Sequence, residues 1–407
     1  MSKNDTIRES GIQTRLKRKS QDCKTFKFKI DRSHLSHSQH EALKMFFVET
    51  KRLYNYILSQ NQKGIPIPSL NDYKSYKNIT YLDKNRNELE YNIQYIGSSV
   101  IQDTIRLIQD AIVSLSVSKK KGNKIGHLTF KTECNSIRLL QYGVTHKIKG
   151  SGIKIQGIKK PIRVCGLRQL EKYKDIDYTV ANLLYDGYDY YVSLTCYVPK
   201  EQKYTNGKEI GIDFGCETTI TTSEGEKLNI RIGESERLKR LQAKLARQQK
   251  RSNNWYKTRS LINKEYNHIT NQKRDAANKL IHHLSSYKTV VIQDDPVAEW
   301  HQNEHCSRTV QHSSIGYIKS RLKKLDNVVI LDQWVPTTQH CFECGTDTKH
   351  DVSKRTFKCS CCGMEMDRDV HAANNMIMYY KLKTSPSGTD GHACGATSCE
   401  ARSLNCL

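Results

Sequence analysis

CSCCGMEMDRDVHAANNM, residues 359–376, runs from a cysteine knuckle into an acidic helix start, and its reading decides the architecture of the carboxy-terminal half. Cys359 and Cys362 answer Cys341 and Cys344 of CFECG (341–345), so two CxxC pairs are separated by fourteen residues. Each pair is expected to fold as a tight knuckle presenting two thiolates to a tetrahedral Zn2+. Gly345 and Gly363 directly follow the second cysteine of each pair, where the turn needs a residue without a Cβ clash. Four thiolates leave no open coordination position, so this zinc is structural. Cys361 is a spare thiol whose use as a ligand in place of Cys362 shortens the knuckle. A reading as two redox motifs lacks the βαβ context such motifs need. Beyond the knuckle, Asp367 and Asp369 open a helix on which Ala372, Ala373 and Met376 form a close-packing face.

Upstream, EIGIDFG (209–215) sets Asp213 in an apolar strand between Gly211 and Gly215. An unpaired carboxylate in a buried strand is costly, so its presence asks for a reason. A Thr-rich strand (TTITTSEG, 218–225) and a third strand (EKLNIRI, 226–232) follow. A strand acid, a β-meander and a distant helix acid form the arrangement of RNase H-like nucleases, whose carboxylates hold two divalent ions for phosphodiester cleavage. Taken singly, Asp213 also reads as an ion-paired acid and Asp367 as a helix cap.

Between these acids lies a basic helical segment, roughly 232–285. In RLKRLQAKLARQQKRSNN (237–254), Leu238, Leu241 and Leu245 form an apolar stripe. Arg237, Lys239, Arg240, Lys244, Arg247, Lys250 and Arg251 make it the most basic amphipathic stretch and the candidate nucleic-acid surface. A buried-type strand (TVVIQ, 289–293), a helix around 309–325 and a strand (VVILDQWVP, 328–336) lead to the first knuckle.

The amino-terminal half opens with an alternating strand (CKTFKFKID, 23–31). A helix follows with Leu43, Phe46, Phe47, Tyr54, Ile57 and Leu58 at helical spacing. A second helix near 98–117 carries Ile101, Ile105, Ile108, Ile112 and Leu115 on one face. Short strands follow at GHLTFK (126–131), SGIKIQG (151–157), PIRVCGL (161–167) and YDYYVSLTCYV (188–198). The order suggests a β-barrel-like module with a helical insertion.

Composition narrows the partners. The 407 residues include 66 Lys plus Arg against 42 Asp plus Glu, a formal charge of +24, which suits a long polyanion. No apolar run approaches the roughly 18 residues of a membrane span. Segment 1–22 is polar and basic with no signal-peptide core, so a cytoplasmic, nucleoid-associated protein without membrane contact is expected. In that compartment the 14 cysteines argue for metal rather than disulfides.

In these residues the sequence resembles the TnpB family, transposon-encoded relatives of the type V CRISPR effector nucleases. KTFKFKI (24–30) with Tyr54 and Asn55 resembles the family's amino-terminal strand and helix, and GIDFG its first RuvC motif. RLKRLQAKLARQQKRSNN resembles the basic helix that follows. VPTTQHCFECG (335–345) and CSCCGMEMDRDVHAANNM resemble the zinc ribbon running into the third RuvC motif. The resemblance implies an α+β multidomain fold. A basic disordered tail (1–22) precedes a β-barrel-like wedge domain (23–205) with a helical recognition insertion (about 36–122). An RNase H-like (RuvC) nuclease domain (206–335), an inserted zinc ribbon (336–366), a final RuvC helix (367–382) and a disordered tail (383–407) follow. It further implies a transposon-encoded, RNA-guided DNA endonuclease that uses a guide RNA encoded near its gene and cuts double-stranded DNA beside a short adjacent motif. Asp213 and Asp369 become catalytic acids holding two Mg2+ ions.

The second RuvC motif departs from the family pattern. Its strand usually ends in Glu, and Gln293 stands there in VVIQDD (290–295). A neutral amide is no substitute for a carboxylate on Mg2+. Alternation along a strand puts Asp295 on the face of Gln293, one pleat further on. Three readings stay open: Asp295 supplies the acid, Glu299 supplies it after a turn at Pro296, or the chain is a nuclease-inactive guided DNA binder. A transposase performing strand transfer is a weaker alternative.

Overall fold

This computed structural model describes residues 3–83, 85, 87–200, 206–300, 302, 304, 306–349 and 354–384. The chain forms two compact units, Met1–Glu201 and Gln202–Leu407. Both mix helices with sheets, so the fold is α+β.

The first unit comprises α1 (Lys3–Lys19), β1 (Gln21–Ile30), α2 (His37–Gln62), β2 (Asn78–Leu82), β3 (Glu88–Asn92) and α3 (Ser98–Lys120). Strands β4 (Ser136–Leu139), β5 (His146–Lys149), β6 (Gly152–Ile155), β7 (Ile162–Cys165), β8 (Asp177–Tyr185) and β9 (Tyr190–Pro199) complete it. Seven strands pair in the order β4-β8-β9-β1-β7-β6-β5. The two edge strands β4 and β5 are sequence neighbours. Between them, Tyr142 stacks on Tyr178 of β8 at 4.8 Å and meets His146 of β5 edge-on at 5.5 Å, so the sheet is nearly closed. α2 starts at a capping box, where Ser36 and Gln39 satisfy each other's backbone amides. Its apolar face packs Leu43, Phe46, Leu53 and Ile57 with Phe28 and Ile30 of β1 and Ile101 and Ile105 of α3. Buried Glu49 accepts from the Tyr91 hydroxyl and the amides of Gln94, Tyr95 and Ile96, fixing the approach to α3.

Two expectations for this unit fail. Residues 3–19, expected as part of a disordered tail, form α1; its Lys and Arg residues are good helix formers. Its last turn docks, with Arg18 stacked over Tyr197 at 3.7 Å and Arg18 and Lys17 paired to Asp177. GHLTFK is not a strand, because the Asn55 side chain takes both backbone groups of Lys131, accepting at 2.8 Å and donating at 3.0 Å.

The second unit comprises β10 (Asn206–Phe214), β11 (Ile220–Thr222), β12 (Lys227–Leu228), α4 (Glu236–Ala246), α5 (Asn253–Leu284), β13 (Tyr287–Gln293) and α6 (Val297–Trp300). It continues with α7 (Ser307–Ser313), α8 (Ile315–Leu322), β14 (Val328–Leu331), β15 (Thr356–Lys358), β16 (Glu365–Asp367) and α9 (Arg368–Thr384). Its five-stranded sheet has the order β12-β11-β10-β13-β14; the first two pairings are antiparallel and the last two parallel. Ile210, Ile212 and Phe214 pack with α5 and α8 through Ile281, Leu284, Ile315, Ile318 and Leu322. Alternation turns Gly211 and Asp213 to the opposite face, where α9 lies.

The expected continuous helix over 232–285 is two. Ser235 caps α4 and Ser252 caps α5, with Arg251 left-handed at φ 68° in the break. The expected strand over 226–232 shrinks to the Lys227–Leu228 pairing. Residues 383 and 384 end α9, and the rest of the expected disordered tail, from 385, lies outside the described residues. Among the described residues no helix is long and apolar enough to cross a membrane.

Candidate metal and nucleic-acid site

Gly211 sets the distance between β10 and α9. A Cβ there would stand 1.9 Å from the Ala373 carbonyl oxygen, so the helix backbone lies directly on the strand. Asp213 follows two residues later on the same face, and Asp369 lies one helical turn before Ala373. Asp295 follows the end of β13, the parallel neighbour of β10. Burial raises the Asp213 carboxyl pKa well above the usual carboxylate range, and the Asp369 and Asp295 charges raise it further. The charges of Asp369 and Asp295 are thus felt at Asp213, but among the described residues only the four cysteines, and not these carboxylates, gather as tightly as a metal cluster.

Asp367 has a different place. Its Oδ1 accepts from the Asp369 and Val370 amides at 3.0 and 3.2 Å, capping α9, while Oδ2 pairs with Lys227 at 2.6 Å. Against the opposing effect of burial, these contacts hold its pKa below the ordinary value. Glu299 is exposed on the four-residue α6.

Gln293 is buried and fully engaged. Its Nε2 donates to the carbonyls of Asp332, Gln333 and Val335 at 3.2, 3.1 and 2.8 Å, and Oε1 accepts from the Thr337 hydroxyl at 3.0 Å. Asn375 of α9 grips the same segment, donating to the carbonyls of Thr337 and His340, both at 2.6 Å. Two buried amides thus clamp the chain leading into the cysteine knuckles. Sequence inspection missed this role, as it missed Lys319 of α8. That buried ammonium donates to the Asp295 carbonyl at 2.7 Å and stands 3.8 Å from the Asp295 carboxylate. Burial raises the Asp295 pKa and Lys319 opposes the rise.

The thiols of Cys341, Cys344, Cys359 and Cys362 lie within 4.8 Å of one another. The Cys341–Cys362 and Cys344–Cys359 sulfur separations are 3.7 and 3.5 Å. Zinc–sulfur bonds of about 2.3 Å at tetrahedral angles need sulfurs about 3.8 Å apart, so the cluster fits Zn2+. Gly345 and Gly363 are left-handed, at φ 72° and 73°. Cys361 lies outside the cluster, exposed, and its amide donates to the Cys359 sulfur at 3.4 Å. Phe357 of β15, wholly buried, packs with Cys341 and Cys359 and stacks on His371 of α9 at 3.6 Å. The knuckles are thereby fastened to the helix that carries Asp369.

All seven cations of the basic stretch are exposed, while Leu238, Leu241 and Leu245 pack against Ile262 and Ile269 of α5. Arg237 pairs with Glu265 and Lys239 with Glu236. Among the described residues, Arg240, Lys244, Arg247, Lys250 and Arg251 have no acid within ion-pair distance.

Residues 192–298 match the family described as OrfB_IS605, probable transposase, and residues 315–376 match the Cas12f1-like TNB domain. A Streptomyces pristinaespiralis protein named "Putative RNA-guided DNA endonuclease" is 29% identical over 216 residues, covering 51% of this chain and 52% of that protein. An Escherichia coli K12 protein named "Putative RNA-guided DNA endonuclease InsQ" is 29% identical over 197 residues, covering 41% and 48%. The chain spans about half the length of the curated relatives it matches. Among solved structures, the Cas12f1–sgRNA–target DNA complex aligns with a TM-score of 0.41 at 11% identity, covering 88% of this chain and 99% of the other. The mini-RNA-guided endonuclease CRISPR-Cas phi3 aligns at 0.41 and 9% identity, covering 89% and 92%. The first family match runs through the Asp213 strand and the second through the cysteine knuckles to Met376, and together they support the resemblance to the TnpB family.

Proposed function

We propose that this protein is an RNA-guided DNA endonuclease that cuts target DNA beside a short adjacent motif. The observation that carries this reading is Asp213, which feels the charges of Asp369 and Asp295, on a sheet of order β12-β11-β10-β13-β14. That order, with its two antiparallel and two parallel pairings, supports reading this unit as an RNase H-like (RuvC) nuclease domain. The names of the two curated relatives support the same activity.

Asp213, Asp295 and Asp369 are the residues that would hold catalytic Mg2+. When bound, the ion lowers the pKa of the attacking water and neutralises charge on the leaving oxygen. The chain's own part is positional. Gly211 lets α9 bring Asp369 to Asp213. Lys319 holds the backbone of Asp295 from behind. Gln293 and Asn375 fix the knuckle segment, and structural Zn2+ on Cys341, Cys344, Cys359 and Cys362 keeps that segment folded. The exposed cations of α4 and of the turn after it offer a backbone-reading surface for the guide RNA or its duplex with DNA. The first unit, with its nearly closed sheet and α2–α3 insertion, serves as wedge and recognition part. The guide RNA is encoded near the gene.

Protein purified with its co-expressed flanking RNA and Mg2+, mixed with a plasmid library carrying the guide match beside random sequence, should deplete one class of adjacent motif. Guide-dependent binding with every plasmid left intact contradicts the endonuclease reading and leaves a guided DNA binder.

A further inference from the structure

We propose that Cys216 and Cys306 are a redox pair whose disulfide fastens the chain end of β10 to the start of α7 and slows cleavage; the control of cleavage rests on the endonuclease reading. Both thiols are free and half-buried. They pack against one apolar core, the one that holds Ile212, Phe214, Val297 and Val310, and they share a side-chain hydrogen bond. Two thiols already in contact need a short approach, not a refolding, to reach the roughly 2 Å of a disulfide. Among the described residues neither joins a group of metal ligands, so the pair has no third donor to make a metal site.

The chain holds both cysteines in place. β10 ends one residue after Asp213 and turns at Gly215, where a Cβ would stand 2.9 Å from the Thr218 carbonyl oxygen. Cys216 therefore stands in a tight turn, three residues beyond Asp213. The Arg231 guanidinium donates to the next carbonyl, that of Glu217, and the Thr219 amide donates to Oδ1 of Asn229 at 2.9 Å. Cys306 opens α7, whose far end is anchored. There the His312 carbonyl accepts from the Ile232 amide at 3.2 Å, and the Gln311 carbonyl from the Lys273 ammonium at 2.8 Å. Ser314, left-handed at φ 61°, separates α7 from α8. At the start of α7, by contrast, no side chain caps the helix. The looser end of α7 is thus the one whose thiol rests on Cys216.

Cys306 belongs to the segment that runs from Asp295 to Lys319, so the bond joins the surroundings of two acids. Asp295 and Asp369 keep 24% and 18% of their side-chain surface exposed, and DNA reaches them only as the flanking chain yields. A cross-link between two flanking segments resists that yielding. The oxidant is a low-molecular-weight disulfide such as glutathione disulfide. The thiolate of one cysteine attacks a glutathione sulfur, the glutathione S–S bond breaks, a mixed disulfide forms and one glutathione thiolate leaves. The thiolate of the other cysteine attacks the protein sulfur of the mixed disulfide and releases the second glutathione. The two cysteine protons end on the two released thiols, and the two electrons lost by the pair reduce the glutathione disulfide. Burial, and then the bond to Cys306, push the Cys216 thiol up to about 12. A thiol of high pKa attacks slowly and leaves reluctantly, so the bond forms slowly and persists.

The test uses the whole chain with its guide RNA and matched target DNA, oxidised with glutathione disulfide and then treated or not with dithiothreitol. Peptide mapping of the oxidised wild type should find Cys216 joined to Cys306. Oxidation should lower the cleavage rate by about tenfold or more, with zinc content unchanged, and dithiothreitol should restore it. Cys216→Ser and Cys306→Ser should each cut as wild type does in reductant and should not respond to glutathione disulfide. A map without the Cys216–Cys306 bond overturns the inference. So does a bonded protein that cuts at the reduced rate. A loss of cleavage that both serine variants share also overturns it, because other thiols then cause the loss. A reduced wild type that never cuts defeats the endonuclease reading instead, and the map still decides whether the pair bonds.

Discussion

Gly211 and Ala373 are in backbone contact: a Cβ on the glycine would stand 1.9 Å from the alanine carbonyl oxygen and 3.3 Å from the side chain of Ile377. No rotamer relieves a clash with backbone, so Gly211→Ala must push α9 off β10. We expect a loss of about 3 kcal/mol or more in denaturant unfolding. Cleavage should fall further than the folded fraction, because Asp369 moves away from Asp213. Wild-type stability in this variant contradicts the contact.

Gln293 is a clamp rather than a vestige of a metal ligand. Gln293→Glu replaces its NH2 with an oxygen facing the carbonyls of Asp332, Gln333 and Val335. Leaving those acceptors unpaired against a carboxylate should cost about 2–4 kcal/mol of unfolding free energy. Cleavage should not improve. A faster enzyme on this substitution shows that position 293 reaches the metal site after all.

Asp213 carries a charge the cation-free fold resists. Its raised pKa means that its favourable contribution is fully present below the ordinary carboxylate value of 3.8 and is lost as pH rises through the shifted one. In chelator at pH 7, Asp213→Asn should therefore be more stable than wild type by about 1 kcal/mol or more. The advantage should vanish near pH 4 and shrink when Mg2+ is added. A variant less stable than wild type at pH 7 contradicts the crowding of the three acids.

The cysteine cluster should contain metal in freshly purified protein. Cys344→Ser or Cys359→Ser should release about one zinc per chain and unfold the knuckles. Because Phe357 links them to His371, cleavage should fall as well. Elemental analysis finding no zinc in the wild-type protein sinks this expectation.

Local spacing carried most of what was legible. The knuckles read directly, because CxxC geometry lives within four residues. Strand alternation was expected to put Asp295 on the face of Gln293, but β13 ends at Gln293 and Asp295 lies beyond it, against Lys319 of α8. Gln293 itself was opaque, since its partners are backbone carbonyls some forty residues away that no sequence pattern announces. α1 was missed for a similar reason: it has no apolar stripe, and Arg18 on Tyr197 docks it across the unit. GHLTFK has strand composition, yet the Asn55 side chain already occupies the backbone of Lys131.

The most direct test of the three-carboxylate site is guided plasmid cleavage by wild type and four single variants, with target binding measured alongside. Asp213→Ala, Asp369→Ala and Asp295→Ala should each reduce cleavage by about 10³-fold or more while guided binding persists. Glu299→Ala should cut at close to the wild-type rate. Normal cleavage by Asp295→Ala together with loss in Glu299→Ala places the third acid on α6 and contradicts the site described.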